Sequence, residues 1–151
     1  MFSALWRTDS NSLWAVRDVS LALDNSVLST AHGEGITVGL HMCRGNNRSA
    51  WHAEGAYDPI AEKAFSSLDV DRFLLEYDTE RAGGFEPLRF VPRDKMVVLG
   101  LISSKLPALE SIDDVRRRID EAARYVSQEN LAISPQCGFA STAPGNLLTW
   151  D

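Results

Sequence analysis

"ITVGLHMCRGNN", residues 36–47, is an apolar run that ends in a histidine and a cysteine and then passes into a polar, glycine-bearing loop. In an extended chain successive side chains point to opposite faces, so His41 and Cys43 project one way and Met42 the other. Two metal-ligating side chains therefore share one side of one strand end. A metal ion takes more than two ligands, so the others must come from elsewhere in the chain.

Three further runs resemble the first: "RFLLEY" from Arg72, "MVVLGLIS" from Met96 and "LAISP" from Leu131. All are nearly continuous rather than alternating, as strands buried on both faces of a parallel sheet are. The gaps between them can each hold a crossover helix, which a βαβ unit requires. Asp58-Pro59 predicts a helix start, with a capping carboxylate before a proline, and Ile60, Ala64, Phe65 and Leu68 follow at helical spacing. Ser111 with Asp114 resembles a capping box ahead of the stripe Ile112, Val115, Ile119, Ala122 and Val126. Both stripes are expected in the core. Val16, Val19, Leu23 and Val27 predict another amphipathic helix leading into the first strand.

The expected order is a helix followed by β-α-β-α-β-α-β, an α/β architecture that fits an open doubly wound sheet or part of a (β/α)8 barrel. A complete barrel takes about 250 residues. A chain of 151 residues holds about half of one.

The composition, 44% hydrophobic and 24% charged, is that of one globular domain. A net charge of −6 argues against a nucleic-acid surface. The one basic cluster, Arg116-Arg117-Arg118, sits among Asp113, Asp114, Asp120 and Glu121 and reads as a solvated helix face. No segment is long and apolar enough for a membrane span, and the N-terminal residues lack the pattern of a secretory signal. The expected location is cytoplasmic. In that reducing setting the only two cysteines, Cys43 and Cys137, are expected to be metal-binding or catalytic rather than disulfide-bonded, with inert buried thiols as the alternative.

Functional groups gather at the C-terminal ends of the strands in either architecture. Those ends read His41-Met42-Cys43, Glu76-Tyr77-Asp78, Ile102-Ser103-Ser104 and Pro135-Gln136-Cys137-Gly138. An imidazole, a carboxylate and two thiolates form a set that suits Zn²⁺. Arg44, Asn46 and Asn47 follow the first ligand strand and could orient such a site, as could Asp78, Glu80 and Arg81 after the second. His52 could contact a substrate, and His32 is expected to face solvent.

Taken together, "GLHMCRGNNRSAWHAEGAYDPIAEKAF", "LDVDRFLLEYDTERAGGFEPLRFVP", "VVLGLISSKLPALES" and "ISPQCGFASTAPGNLLT" resemble the C-terminal half of the catalytic barrel of cobalamin-independent methionine synthase, especially its short archaeal and bacterial members. The likeness spans residues 23–149 and is most specific at H-x-C, at the glutamate and at P-x-C-G. It implies the C-terminal half of a TIM (β/α)8 barrel, with residues 1–151 as one partial domain and residues 1–20 unplaced. It also implies a zinc site of His41, Cys43, Glu76 and Cys137 that activates the thiol of homocysteine. The implied reaction is methyl transfer from methyl-folate, 5-methyltetrahydropteroyltriglutamate, to give methionine. Glu76, the hardest donor of the set, is the ligand expected to give way to substrate sulfur.

The longer members of that family carry a histidine, implied as a proton donor, where this chain has Ile102 followed by Ser103 and Ser104. That departure opens two alternatives: a related thiol methyltransferase with another methyl donor, such as a corrinoid protein, and a zinc-binding fragment without activity alone. Half a barrel also leaves sheet edges to be covered by self-association or by a partner that supplies the other half.

Overall fold

A computed structural model of the chain describes residues 10–140 and 142–148, with side chains from Arg17 onward. The elements run α1 (Ser10–Ala31), β1 (Gly39–Met42), α2 (Asp58–Ser67), β2 (Arg72–Glu76), β3 (Met96–Ile102), α3 (Ile112–Ala122) and β4 (Leu131–Pro135). The four strands form one sheet in the order β1-β2-β3-β4, and every pairing is parallel. A doubly wound sheet reverses its strand order at a switch point, whereas strands laid down consecutively in one direction make the wall of a barrel. This sheet has no reversal.

One face of the sheet carries Leu40, Met42, Phe73, Leu75, Val97, Leu99 and Leu101, which meet the helices in the main core. Phe65 of α2 stands edge-on to Phe73 of β2, with ring centroids 5.1 Å apart. Tyr57, Tyr77 and Phe85 continue that aromatic row towards the strand ends. The opposite face carries His41, Leu74, Glu76, Val98 and Gly100, because side chains alternate along each strand.

Four local expectations differ from the structure. Asp58 is the first residue of α2 rather than its cap; Tyr57 takes the cap position without a side-chain cap bond. Its hydroxyl is drawn instead to the strand ends, 3.1 Å from the Met42 carbonyl, and accepts the Glu76 N–H at 2.9 Å. Between β2 and β3 two short 3₁₀ turns, Glu80–Ala82 and Glu86–Phe90, replace a full crossover helix. Gly83, at φ 75°, and Pro87 interrupt any longer run there. The second turn packs on α2 and covers the sheet in place of a helix.

The third difference is α1. Val19, Leu23 and Val27 are 60%, 62% and 67% exposed, and Val16 lies outside the residues with described side chains. Leu21 and Leu28 pack against the core instead. Polar contacts fix that rotation of the helix: Asn25 donates to the Ser67 carbonyl at 2.6 Å and accepts the Asp69 N–H at 2.8 Å. Lys63 of α2 pairs with Asp18 at 2.9 Å. The α3 expectation holds at Ser111, whose hydroxyl accepts the Asp114 N–H at 3.1 Å, and at Ala122 and Val126, which are buried. Ile112 is the exception, 70% exposed.

β1 and β4 are the outer strands of the sheet among the described residues, and Ile133 on β4 is 53% exposed. No described helix is long and apolar enough to cross a membrane.

Candidate metal centre

His41 and Cys43 lie on the same side of β1 and its continuation, as strand alternation requires. For Cys137 to join them, β4 must present an odd-numbered residue to a face on which it first presents even-numbered ones. Gly100 pairs with Ser134, but Ile102 pairs with Pro135, so the register slips by one residue between those positions. After the slip Pro135 and Cys137 share the face of Ile102, and a bulge of this kind re-aims a side chain. The Gln136 N–H then donates to the Ile102 carbonyl at 2.8 Å and extends the ladder to the residue before the thiol.

Gly100 makes the slip possible. A Cβ there would lie 2.8 Å from Gln136 Cα and 2.9 Å from the Leu75 carbonyl oxygen, both backbone atoms that cannot swing aside. Gly100→Ala is therefore expected to destabilise the chain by about 1–3 kcal/mol and to weaken metal binding through displacement of Cys137. Denaturant unfolding followed by metal titration measures both effects.

The result is a cluster of His41, Cys43 and Cys137 whose ligand atoms all lie within 4.8 Å of one another. Cys137 Sγ is 3.6 Å from His41 Nε2. Zinc bond lengths at tetrahedral angles give an N···S edge of about 3.6 Å and an S···S edge of about 3.8 Å. The donor set and the 3.6 Å N···S separation suit a zinc tetrahedron, with every ligand atom within 4.8 Å of the others. His41 and Cys43 are exposed and Cys137 is partly buried, so the cluster is open to an incoming ligand, and both thiols are free. Burial, and next the neighbouring Cys43, push the Cys137 thiol up to about 12. The Cys137 thiol therefore resists ionisation unless a cation sits beside it.

Glu76 stands apart from the three-residue cluster, although it lies near enough for its charge to help raise the Cys137 thiol. It is 1% exposed. Oε1 accepts the indole N–H of Trp51 at 3.1 Å and the ammonium of Lys105 at 3.4 Å. Oε2 accepts the Arg44 backbone N–H at 2.6 Å, with the Arg44 guanidinium 3.9 Å away. Arg44 in turn lies over the Tyr57 ring and donates to the Gly55 carbonyl at 2.7 Å. Lys105 is fully buried, and its ammonium lies 5.3 Å from the Trp51 ring centroid.

Below the cluster, the end of β3 anchors a polar network. Ser104 donates to Gln136 Oε1 at 2.6 Å and accepts from Asn46 at 3.2 Å, while Asn146 donates to the Ser104 carbonyl at 2.6 Å. These contacts tie the loop after β1 to the loop that follows Cys137. Ser103 donates to Asp78 at 2.9 Å, and burial raises the Asp78 carboxyl above its ordinary value.

Of the flanking candidates, Arg44 bonds to Glu76 and Asn46 to Ser104 at the strand ends, whereas Asn47 closes a backbone bridge with Ala50. Arg81 pairs with Glu54 at 2.7 Å and lies over Trp51. His52 packs on Gly45, and His32 faces Asp69 on the surface, 3.3 Å from its carboxylate. Lys105, Trp51, Gln136 and Asn146 are neighbours of the strand ends that the sequence does not single out. A lysine three residues beyond a strand carries no mark of burial, and an asparagine in a glycine-bearing tail carries no mark of its target.

The chain matches the family described as "Cobalamin-independent synthase, Catalytic domain" over residues 8–146. It is 59% identical over 115 residues to the uncharacterized protein YxjG of Bacillus subtilis, which covers 76% of this chain and 30% of that protein. It is 27% identical over 123 residues to the methionine synthase of Pyrococcus furiosus, 80% of this chain and 32% of that one. Among solved structures, a protein of Listeria monocytogenes assigned as a vitamin-B12-independent methionine synthase aligns with TM-score 0.61 and 29% identity, over 83% of this chain and 35% of that chain. A B12-independent methionine synthase of a Shewanella species aligns with TM-score 0.64 and 20% identity, over 82% and 37%. The chain thus spans about a third of the length of these relatives, and its sheet is a part of their TIM-barrel fold. The family match takes in all four strands and every residue of the cluster, so the chain belongs to the cobalamin-independent synthase family as a portion of its catalytic domain.

Proposed function

We propose that the chain carries the zinc-holding part of a thiol methyltransferase that forms methionine from homocysteine, with methyl-folate as donor, in the cytoplasm. The observation that carries this reading is the convergence of His41, Cys43 and Cys137 within 4.8 Å at the strand ends. These three residues would hold the ion, and Glu76 would be the fourth, detachable ligand. When bound, zinc would supply a thiolate at neutral pH from a thiol whose ordinary pKa is about 8.5. The chain's own part is to keep that site open to solvent on one side, which the exposure of His41 and Cys43 provides. It also holds the carboxylate beside the site in a fixed orientation, through Arg44, Trp51 and Lys105.

A second reading, in which the methyl group comes from a donor such as a corrinoid protein, is favoured by the end of β3. Ser103 and Ser104 there are engaged with Asp78 and Gln136. The neighbouring Lys105 is turned to Glu76, so no group in this strand end is free to protonate a departing folate nitrogen.

One experiment separates these readings. The purified chain is expected to bind about one zinc ion, held by these four residues. Methionine formation is then assayed with methyl-folate and with methylcobalamin, using the chain alone and with the remaining portion of the Bacillus YxjG relative added as a partner. Methionine from methyl-folate supports the first reading, and methionine from methylcobalamin alone supports the second. Zinc binding without turnover, even with the partner, would leave only a zinc-binding fragment, and absence of zinc binding would overturn the metal reading outright.

A further inference from the structure

We propose that Lys105 and the indole N–H of Trp51 form a berth for the Glu76 carboxylate, which lets Glu76 move off an ion held by His41, Cys43 and Cys137 when a thiol takes its place. The inference rests on the metal reading above and deepens it by assigning the residues that govern the labile ligand.

A carboxylate has about four lone-pair sites, two on each oxygen. On Glu76, Trp51 and Lys105 occupy both sites of Oε1, and the Arg44 N–H occupies one of Oε2. One site on Oε2 is left for an ion, so Glu76 can bind it through a single oxygen without losing its other partners. A detached carboxylate in a site this buried would be strongly disfavoured unless its charge were already matched. Lys105 supplies that match at 3.4 Å and is itself fully buried, so it has no competing solvent partner.

Trp51 completes the berth from the other side. Its ring has two cations beside it, with the Lys105 ammonium 5.3 Å and the Arg81 guanidinium 4.3 Å from the centroid. Those two contacts help to hold the indole plane, and with it the direction of the N–H that meets Oε1. The residues facing the carboxylate therefore come from two elements, the loop after β1 and the loop after β3. None of them belongs to the three-ligand cluster.

The test uses the full chain loaded with cobalt(II), whose visible absorption reports ligand number and whose near-ultraviolet band reports a bound thiolate. Trp51→Phe removes one donor and keeps a ring, and Lys105→Met removes the cation at similar length. Each is expected to weaken binding of L-homocysteine about tenfold. Cobalt affinity, measured by chelator competition, is expected to stay equal to that of the unaltered chain or to rise. Lys105→Arg is expected to restore thiol binding. Lys105→Met in a Glu76→Gln background is expected to add nothing, because the charge it serves is already gone.

A parallel fall in cobalt affinity and thiol affinity in both variants would overturn the berth, since it would mean that these residues only shape the site. Unchanged thiol binding in Trp51→Phe would overturn it as well, and that variant uncovers no buried charge that could unfold the chain. If the unaltered chain binds no cobalt, the metal reading fails together with the berth. If it binds cobalt and thiol and the variants match it, only the berth fails.

Discussion

Zinc affinity falls about 100-fold in Cys137→Ser and in Cys43→Ser, as measured by competition with a chromogenic chelator. The expectation follows from the free energy of a four-ligand zinc site, about 10–16 kcal/mol. Loss of one ligand removes on the order of 3 kcal/mol, or about two powers of ten. Serine keeps the size of the side chain but offers zinc a hard, protonated oxygen. The sign with pH is also set. The Cys137 thiol, pushed up to about 12 by burial and by Cys43, gives up a proton as the ion binds, so affinity drops as pH falls. If both serine variants hold zinc as tightly as the unaltered chain, the ion is not at this cluster.

The second large effect concerns stability. Glu76→Ala leaves the Lys105 ammonium, which is 0% exposed, without its carboxylate, and it removes the acceptor of the Arg44 and Trp51 N–H groups. Removing one member of a buried ion pair costs about 3–5 kcal/mol, so this variant is expected to be the least stable of those considered. Glu76→Gln keeps a carbonyl acceptor and is expected to lose less. The double variant Glu76→Leu with Lys105→Met is expected to recover part of the loss, because neither charge is then stranded. Urea unfolding ranks the three. A Glu76→Ala variant within about 0.5 kcal/mol of the unaltered chain would show that Lys105 finds another partner or solvent.

Much of this architecture was legible in the amino-acid sequence because its signals are local. Continuous apolar runs identify the strands of a parallel sheet, although β1 and β4 are not buried on both faces as those runs suggested, and the residues just beyond the strands mark the end of the sheet where the cluster forms. His41, Cys43 and Cys137 were readable on that basis, and so was the Ser111 cap. What was not readable depends on pairing between distant segments. The stripe Val19, Leu23, Val27 has helical spacing, yet spacing does not say which side a neighbour will cover. Asn25 and Asp18 decided it by bonding to residues that follow or lie in α2. Asp58 lost the cap position because Tyr57 was claimed by two strand ends. Glu76 is legible as a strand-end carboxylate, but its separation from the other three residues comes from Arg44, Trp51 and Lys105, none of which is near it in the chain.

The one-residue slip between β3 and β4 has a practical meaning for anyone transplanting this cluster. Copying the histidine and both cysteines onto an idealised, evenly paired scaffold would send the last sulfur to the helix side and leave only two usable donors. The irregularity, together with the side-chain-free position at Gly100 that tolerates it, has to travel with the ligands.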